Sequence, residues 1–114
     1  MTDKQFSICV SEVDNYSDRD AYVSDLALSS IWEDEGAEIP QSRIDTLGQI
    51  WDAVKRSPRD ILEAAGMTQA GFAERFCIPR RTVESWCSRS EAERREAPVY
   101  VRLLIQEQLG LLSR

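Results

Sequence analysis

The chain has 114 residues, 42% of them hydrophobic and 30% charged, with a formal net charge of −6. That suits one globular domain, or one domain with an arm, large enough to bury a modest core. It contains no histidine, so the usual general base is missing and no catalytic constellation assembles.

There is no glycine-rich phosphate loop either, and Cys9, Cys77 and Cys87 make no C-x-x-C pair. A structural zinc site needs four thiolate or imidazole ligands, so neither metal nor cofactor is expected and the chain reads as a non-enzyme. Cys77 and Cys87 read as small buried hydrophobes. The odd cysteine count, with no signal-peptide pattern and no long apolar run, points to a reducing cytoplasm and away from a membrane. The charge is uneven. Residues 1–39 hold ten acidic and two basic side chains, net −8; residues 40–114 hold ten acidic and twelve basic, net +2. An overall acidic protein grips nucleic acid poorly unless it carries a local basic face.

In chain order, Lys4 to Val13 alternates Phe6, Ile8 and Val10 with polar residues, which predicts a single half-buried strand. Such a strand either pairs with a second copy across a dimer axis or lies on helices as an arm. Ser17 and Asp20 form a capping-box-like start. A helix from about Asp18 to Trp32 follows, with Ala21, Tyr22, Leu26, Ala27, Leu28 and Ile31 on its apolar side. Glu33-Asp34-Glu35-Gly36 ends it. This run is either a solvated loop or a binding surface for a basic partner.

Pro40 opens a helix to about Lys55, with Ile44, Leu47, Trp51 and Val54 recurring on one face. Gly48 inside it costs about 1 kcal/mol relative to Ala, which predicts close packing there. Ser57-Pro58-Arg59-Asp60 caps the next helix, and Gly66 stops it in the left-handed conformation. From Gly66 to Trp86 the pattern splits into two short helices around Phe76-Cys77-Ile78-Pro79. Thr68 caps the first, whose Phe72, Ala73 and Phe76 share a face. In the second, Val83 and Trp86 face inward and Arg80, Arg81, Glu84 and Ser85 outward. Paired guanidinium forks on a short exposed helix fit a major groove. Ser88 to Glu96 is polar and charged. Pro98 opens the last helix and Gly110 closes it; a strand over 99–105 fits less well, given Pro98, Gln106-Glu107-Gln108 and Gly110. Val99 to Leu112 carries more apolar residues than one core face needs, which makes it the candidate dimer contact.

These residues carry a resemblance. Thr68-Gln69-Ala70, Phe72-Ala73-Glu74-Arg75-Phe76, Ile78, Arg80 to Val83 and Trp86 resemble the Xre/Cro-type helix-turn-helix family of phage repressors and DNA-binding antitoxins. The resemblance covers residues 57–112. It implies a mainly α, lambda-repressor-like helical domain at 40–114, with the helix-turn-helix at 67–87 and residues 1–39 as an acidic extension. Cys77 departs from the family, which usually has glycine at the turn where φ is positive. Glu91, Ala92 and Glu93 depart as well, standing where a compact basic turn is usual. On the family's pattern Arg80, Arg81 and Ser85 face base edges, with Thr82 on the same helix. Gln69 braces the first helix on the DNA backbone, and Arg89, Arg94 and Arg95 meet phosphates.

The expected function is a sequence-specific transcriptional regulator, a homodimeric repressor or autoregulator from a phage, mobile element or toxin–antitoxin operon, bound to a double-stranded DNA operator. The alternative is a protein-binding inhibitor, an antitoxin or a phage anti-defence protein of the anti-CRISPR type. Its acidic N-terminal region would hold a basic partner, such as a toxin or a host nuclease, through Tyr22, Trp32, Glu33, Asp34 and Glu35. Residues 1–39 would then be dispensable for DNA binding.

Overall fold

The computed structural model describes residues 1–33 and 38–113. Among them are seven α-helices, one 3-10 turn and no strand, so the protein is mainly α. The chain divides into two compact units, Met1–Val54 with Leu112–Arg114, and Lys55–Leu111. The division therefore falls after Val54 and not after residue 39, because the helix after Pro40 packs in the first unit.

That unit holds α1 (Asp3–Glu12), the 3-10 turn Val13–Asn15, α2 (Arg19–Ala27) and α3 (Gln41–Lys55). The strand expected over residues 4–13 is a helix. Thr2 caps it through a capping box with Gln5, and the burial follows the helical period: Cys9 and Val13 are buried, Phe6 and Val10 half-buried. Positions 6, 9, 10 and 13 are i, i+3, i+4 and i+7. The alternation of Phe6, Ile8 and Val10 skips Cys9, the most buried of them.

Asp18, not Ser17, caps α2, accepting the Ala21 amide at 3.1 Å. The helix stops at Ala27, well short of Trp32. Side chains from outside the helix take its last carbonyls: Trp32 Nε1 donates to Leu26 O at 2.7 Å and Arg43 to Ala27 O at 3.4 Å. Ala21 and Leu28, expected on the apolar side, are exposed. Tyr22 is fully buried, its hydroxyl donating to Cys9 O at 2.6 Å and its ring 5.3 Å from that of Trp51. Burial pushes the Cys9 thiol up to about 11, with Glu12 adding to the shift, and raises Tyr22 as well. On α3, Leu47, Ile50, Trp51 and Ala53 are buried. The close packing predicted at Gly48 comes from a side chain: a Cβ there would meet the Arg19 guanidinium, 3.1 Å from Cζ. Arg19 is held there by Asp52, at 3.0 and 3.1 Å.

The second unit holds α4 (Pro58–Ala65), α5 (Gln69–Phe76), α6 (Arg80–Trp86) and α7 (Val99–Gln108). Its core is Ile61, Leu62, Phe72, Ala73, Val83, Cys87 and Ile105, and each large member stabilises by roughly 1.5–3 kcal/mol. Gln106 is the one fully buried polar side chain among the described residues, bonded to Arg56 and to Arg102 O. Three helices end alike. After α4, α5 and α7 the amides of Met67, Ile78 and Leu111 reach back to Leu62, Ala73 and Gln106 O at 2.9–3.0 Å, a Schellman ending with a left-handed residue before it. That residue is Gly66, Cys77 and Gly110, with φ of 65°, 54° and 75°. Cys77 is exposed, so it is not the buried hydrophobe expected. The backbone holds it left-handed.

Candidate nucleic-acid interface

The elements that would form a DNA-reading surface are α5, the turn after it, and α6. Thr68 fixes the start of α5 by accepting the Gly71 amide at 3.0 Å, which satisfies one of the orphan donors of the first turn. Cys77 then turns the chain, Ile78 packs into the core cluster, and Pro79 precedes α6 with φ −54°. Val83 is fully buried beneath α6. One face of α6 is thus anchored and the opposite one faces out.

Arg80 and Arg81 are exposed side by side in the first turn of α6. Arg80 Nε lies 3.3 Å from Glu84 Oε1, both side chains more than half exposed. Such an i,i+4 pair contributes about 0.3–0.5 kcal/mol, so a phosphate or a guanine edge displaces it at little cost. Thr82 and Ser85 are half-buried. Ser85 differs from the expectation: its Oγ donates to Glu93 O at 3.0 Å, and its carbonyl accepts the Arg95 amide at 3.3 Å. It ties the 88–97 loop to α6. Gln69 is exposed at the start of α5, and Arg89, Arg94 and Arg95 are exposed in the loop.

Arg94 and Arg95 border a cleft of about 250 Å³ together with Trp86, Ser88, Ser57 and Arg59. Arg59 was not singled out in the sequence. It donates to the Cys87 carbonyl at the end of α6, where an orphan acceptor needs a partner, and it thereby joins α4 to α6. Burial raises the Cys87 thiol, against the lowering pull of Arg59. A single arginine in a helix's first turn carries no sequence sign of that reach.

The residues named for a protein partner are divided by the structure. Tyr22 is fully buried and cannot be a surface anchor. Trp32 is half-buried, with Arg43 stacked 4.3 Å from its ring centre and its indole N–H taken by Leu26 O. Glu33 is exposed; Asp34 and Glu35 lie outside the described residues. The division of the chain leaves the charge asymmetry as it was for residues 1–39 and 40–114. Met1–Val54 with Leu112–Arg114 carries twelve acidic and four basic side chains, net −8, and Lys55–Leu111 eight acidic and ten basic, net +2.

Among the described residues no three His, Cys, Asp or Glu side chains gather as a metal site, and no helix is long and apolar enough to cross a membrane. No protein-family model, no curated protein and no solved structure matches the chain.

Proposed function

We propose that Lys55–Leu111 is the DNA-reading unit of a sequence-specific transcriptional regulator. The observation that carries this is the pair α5–α6. Its left-handed turn and buried Val83 hold α6 by one face, while Arg80 and Arg81 stand exposed at its start. That arrangement suits a helix-turn-helix, whose second helix enters the major groove with its N-terminal residues at the bases. The resemblance of residues 57–112 to the Xre/Cro type points the same way and supports an autoregulating repressor of phage, mobile-element or antitoxin kind, working in the cytoplasm. Gln69, Arg89, Arg94 and Arg95 would meet phosphates, and Thr82 would sit at the edge of the reading surface. Ser85 serves as a brace.

A short recognition helix reads too few base pairs alone, so the regulator would bind a palindrome as a homodimer. With α1 a helix, the strand-mediated dimer is withdrawn. Tyr100 and Leu104, i and i+4 on α7, are 66% and 62% exposed and supply the two-fold contact instead.

The test is selection of an operator from random duplexes with the full chain, followed by Arg80→Ala and Arg81→Ala. Each loss should cost about 1–3 kcal/mol, with relaxed preference at one or two base pairs. Unchanged affinity and preference in both variants would overturn the assignment.

A second reading is favoured by the net negative charge of the first unit, set against the net positive charge of the second. An acidic field there repels DNA and attracts a basic protein. The plan resembles that of antitoxins and of some anti-defence inhibitors of the anti-CRISPR type, in which one half would hold a toxin or host nuclease and the other repress its own promoter.

A further inference from the structure

The acidic unit carries a groove between α2 and α3 of about 400 Å³. Its floor is apolar: Val23 and Ile44 line it and are only half-buried. Asp20 stands on the α2 rim and Asp45 on the α3 rim, with Ser24 and Gln49 as neutral neighbours. Arg19 also borders the groove, but its Nε and Nη2 donate to the two oxygens of Asp52 at 3.0 and 3.1 Å. The guanidinium charge is thus cancelled locally, and Asp20 and Asp45 set the sign of the rim. Asp45 takes one neutral hydrogen bond, from the Gln41 amide at 3.0 Å.

We propose that this groove docks a basic amphipathic helix of a protein partner. One large apolar side chain would sit on Val23 and Ile44, and lysines or arginines would reach Asp20 and Asp45 on either side. The helix-in-groove mode asks for an apolar floor to supply burial and rim charges to supply orientation. An acidic loop without a floor would supply only the second. The lining residues are spaced i, i+1, i+4 and i+5 on α2 from Arg19, and i, i+1 and i+5 on α3 from Ile44. Each rim therefore runs roughly 7 Å, which matches one to two turns of a docked helix. The inference rests on the reading of the first unit as the binder of a basic protein. It moves the contact from Tyr22 and Trp32, which the fold has occupied, to exposed carboxylates at the groove.

The experiment uses the full chain, labelled with nitrogen-15. The probe is a 16-residue amphipathic peptide of leucine and lysine at helical spacing, with a leucine-to-glutamine twin. Amide shifts should centre on Val23, Ser24, Ile44 and Gln49. Asp20→Asn with Asp45→Asn should weaken the peptide at least tenfold, whereas Asp14→Asn, the same charge change on an exposed residue off the groove, should weaken it less than twofold. Val23→Ser should weaken it several-fold, and the glutamine twin should not bind. Circular dichroism checks that each variant is folded. Shifts clustered elsewhere in the first unit, or equal loss from Asp14→Asn, would overturn the groove and leave the basic-partner reading standing. Absence of binding to the first unit would overturn both.

Discussion

Cys77 offers a stability test that needs no ligand. The same Schellman ending occurs after α4, α5 and α7, with Gly66, Cys77 and Gly110 in the left-handed position. A left-handed L-residue costs roughly 1–2 kcal/mol. Glycine avoids that cost but loses about 0.5–1 kcal/mol more backbone entropy on folding. The Cys77 side chain is exposed, so little burial is lost with it. Cys77→Gly should therefore stabilise by about 0.5–1 kcal/mol. The whole chain, at about 2.1 cal/mol/K for each of 114 residues, has an unfolding entropy near 240 cal/mol/K, so the midpoint should rise by about 2–4 °C. Cys77→Ala keeps the left-handed penalty and should show no gain. Gly66→Ala is the mirror experiment: nothing lies within 4 Å of a Cβ built there, so any loss reports conformation alone. Urea midpoints for the three variants, with unchanged m-values, give the free energies. If Cys77→Gly is no more stable than Cys77→Ala, the turn is not strained and the reasoning fails.

The remaining predictions concern other parts of the fold. Gly48→Ala gains about 1 kcal/mol of helix propensity but drives the Arg19 guanidinium off Asp52, an exposed pair worth at most about 1 kcal/mol. It should be near neutral in the native chain and stabilising by about 1 kcal/mol in an Arg19→Ala background; equal effects in both, by denaturant melts, would contradict the contact. For Cys9, the folded thiol is raised from its ordinary 9.0 to about 11, so the unfolded chain releases the proton first. The stabilisation is complete below pH 9 and is lost as pH rises through about 11, on the order of 2 kcal/mol. Cys9→Ala should flatten that decline in urea midpoints between pH 8.5 and 11; Cys87 and Tyr22, both raised in the same direction by burial, contribute to what persists. Leu104→Glu, at a 62% exposed position, should change stability by no more than about 0.5 kcal/mol. It should convert the proposed homodimer to a monomer in sedimentation and weaken binding to a selected palindromic operator more than tenfold; a variant that stays dimeric removes α7 from the proposed interface.

Local chemistry was legible in the sequence wherever one side chain decides a backbone state. Thr68 and Ser57 cap as read, Pro58 opens α4, and Gly66 closes it left-handed. Features set by distant partners were not legible. The end of α2 depends on Trp32 and Arg43 reaching carbonyls from beyond the helix, and no propensity within α2 encodes that. The α1 segment carries both periods: its alternation is real, but Phe6, Cys9, Val10 and Val13 also fit a helix, and a Thr2–Gln5 capping box begins it. Counting cysteine among the apolar positions would have favoured the helix. Ser85 shows the same limit at the proposed interface. Its outward position was foreseeable, but its hydrogen bond to Glu93 depends on how the following loop folds back.

Where the chain divides also decides how the two functional readings can be separated. A cut before residue 40 would strip α1 and α2 from α3, leaving Leu47, Ile50 and Trp51 without Tyr22 and Leu26 beside them in the first unit's core. Exposing that much apolar surface costs several kcal/mol, so loss of DNA binding in such a fragment would report unfolding and not a role for the acidic region. Neutralising exposed carboxylates avoids the difficulty, because surface substitutions seldom shift stability by more than about 0.5 kcal/mol. Asp20→Asn and Asp45→Asn lower the acidic unit's charge by two without touching its core. If the field of that unit opposes DNA, operator affinity should rise in these variants at low salt and converge with the native chain as salt screens the field. The same two substitutions, expected to weaken a basic partner, would then strengthen DNA binding, and these opposite signs follow from a net negative charge carried by the first unit.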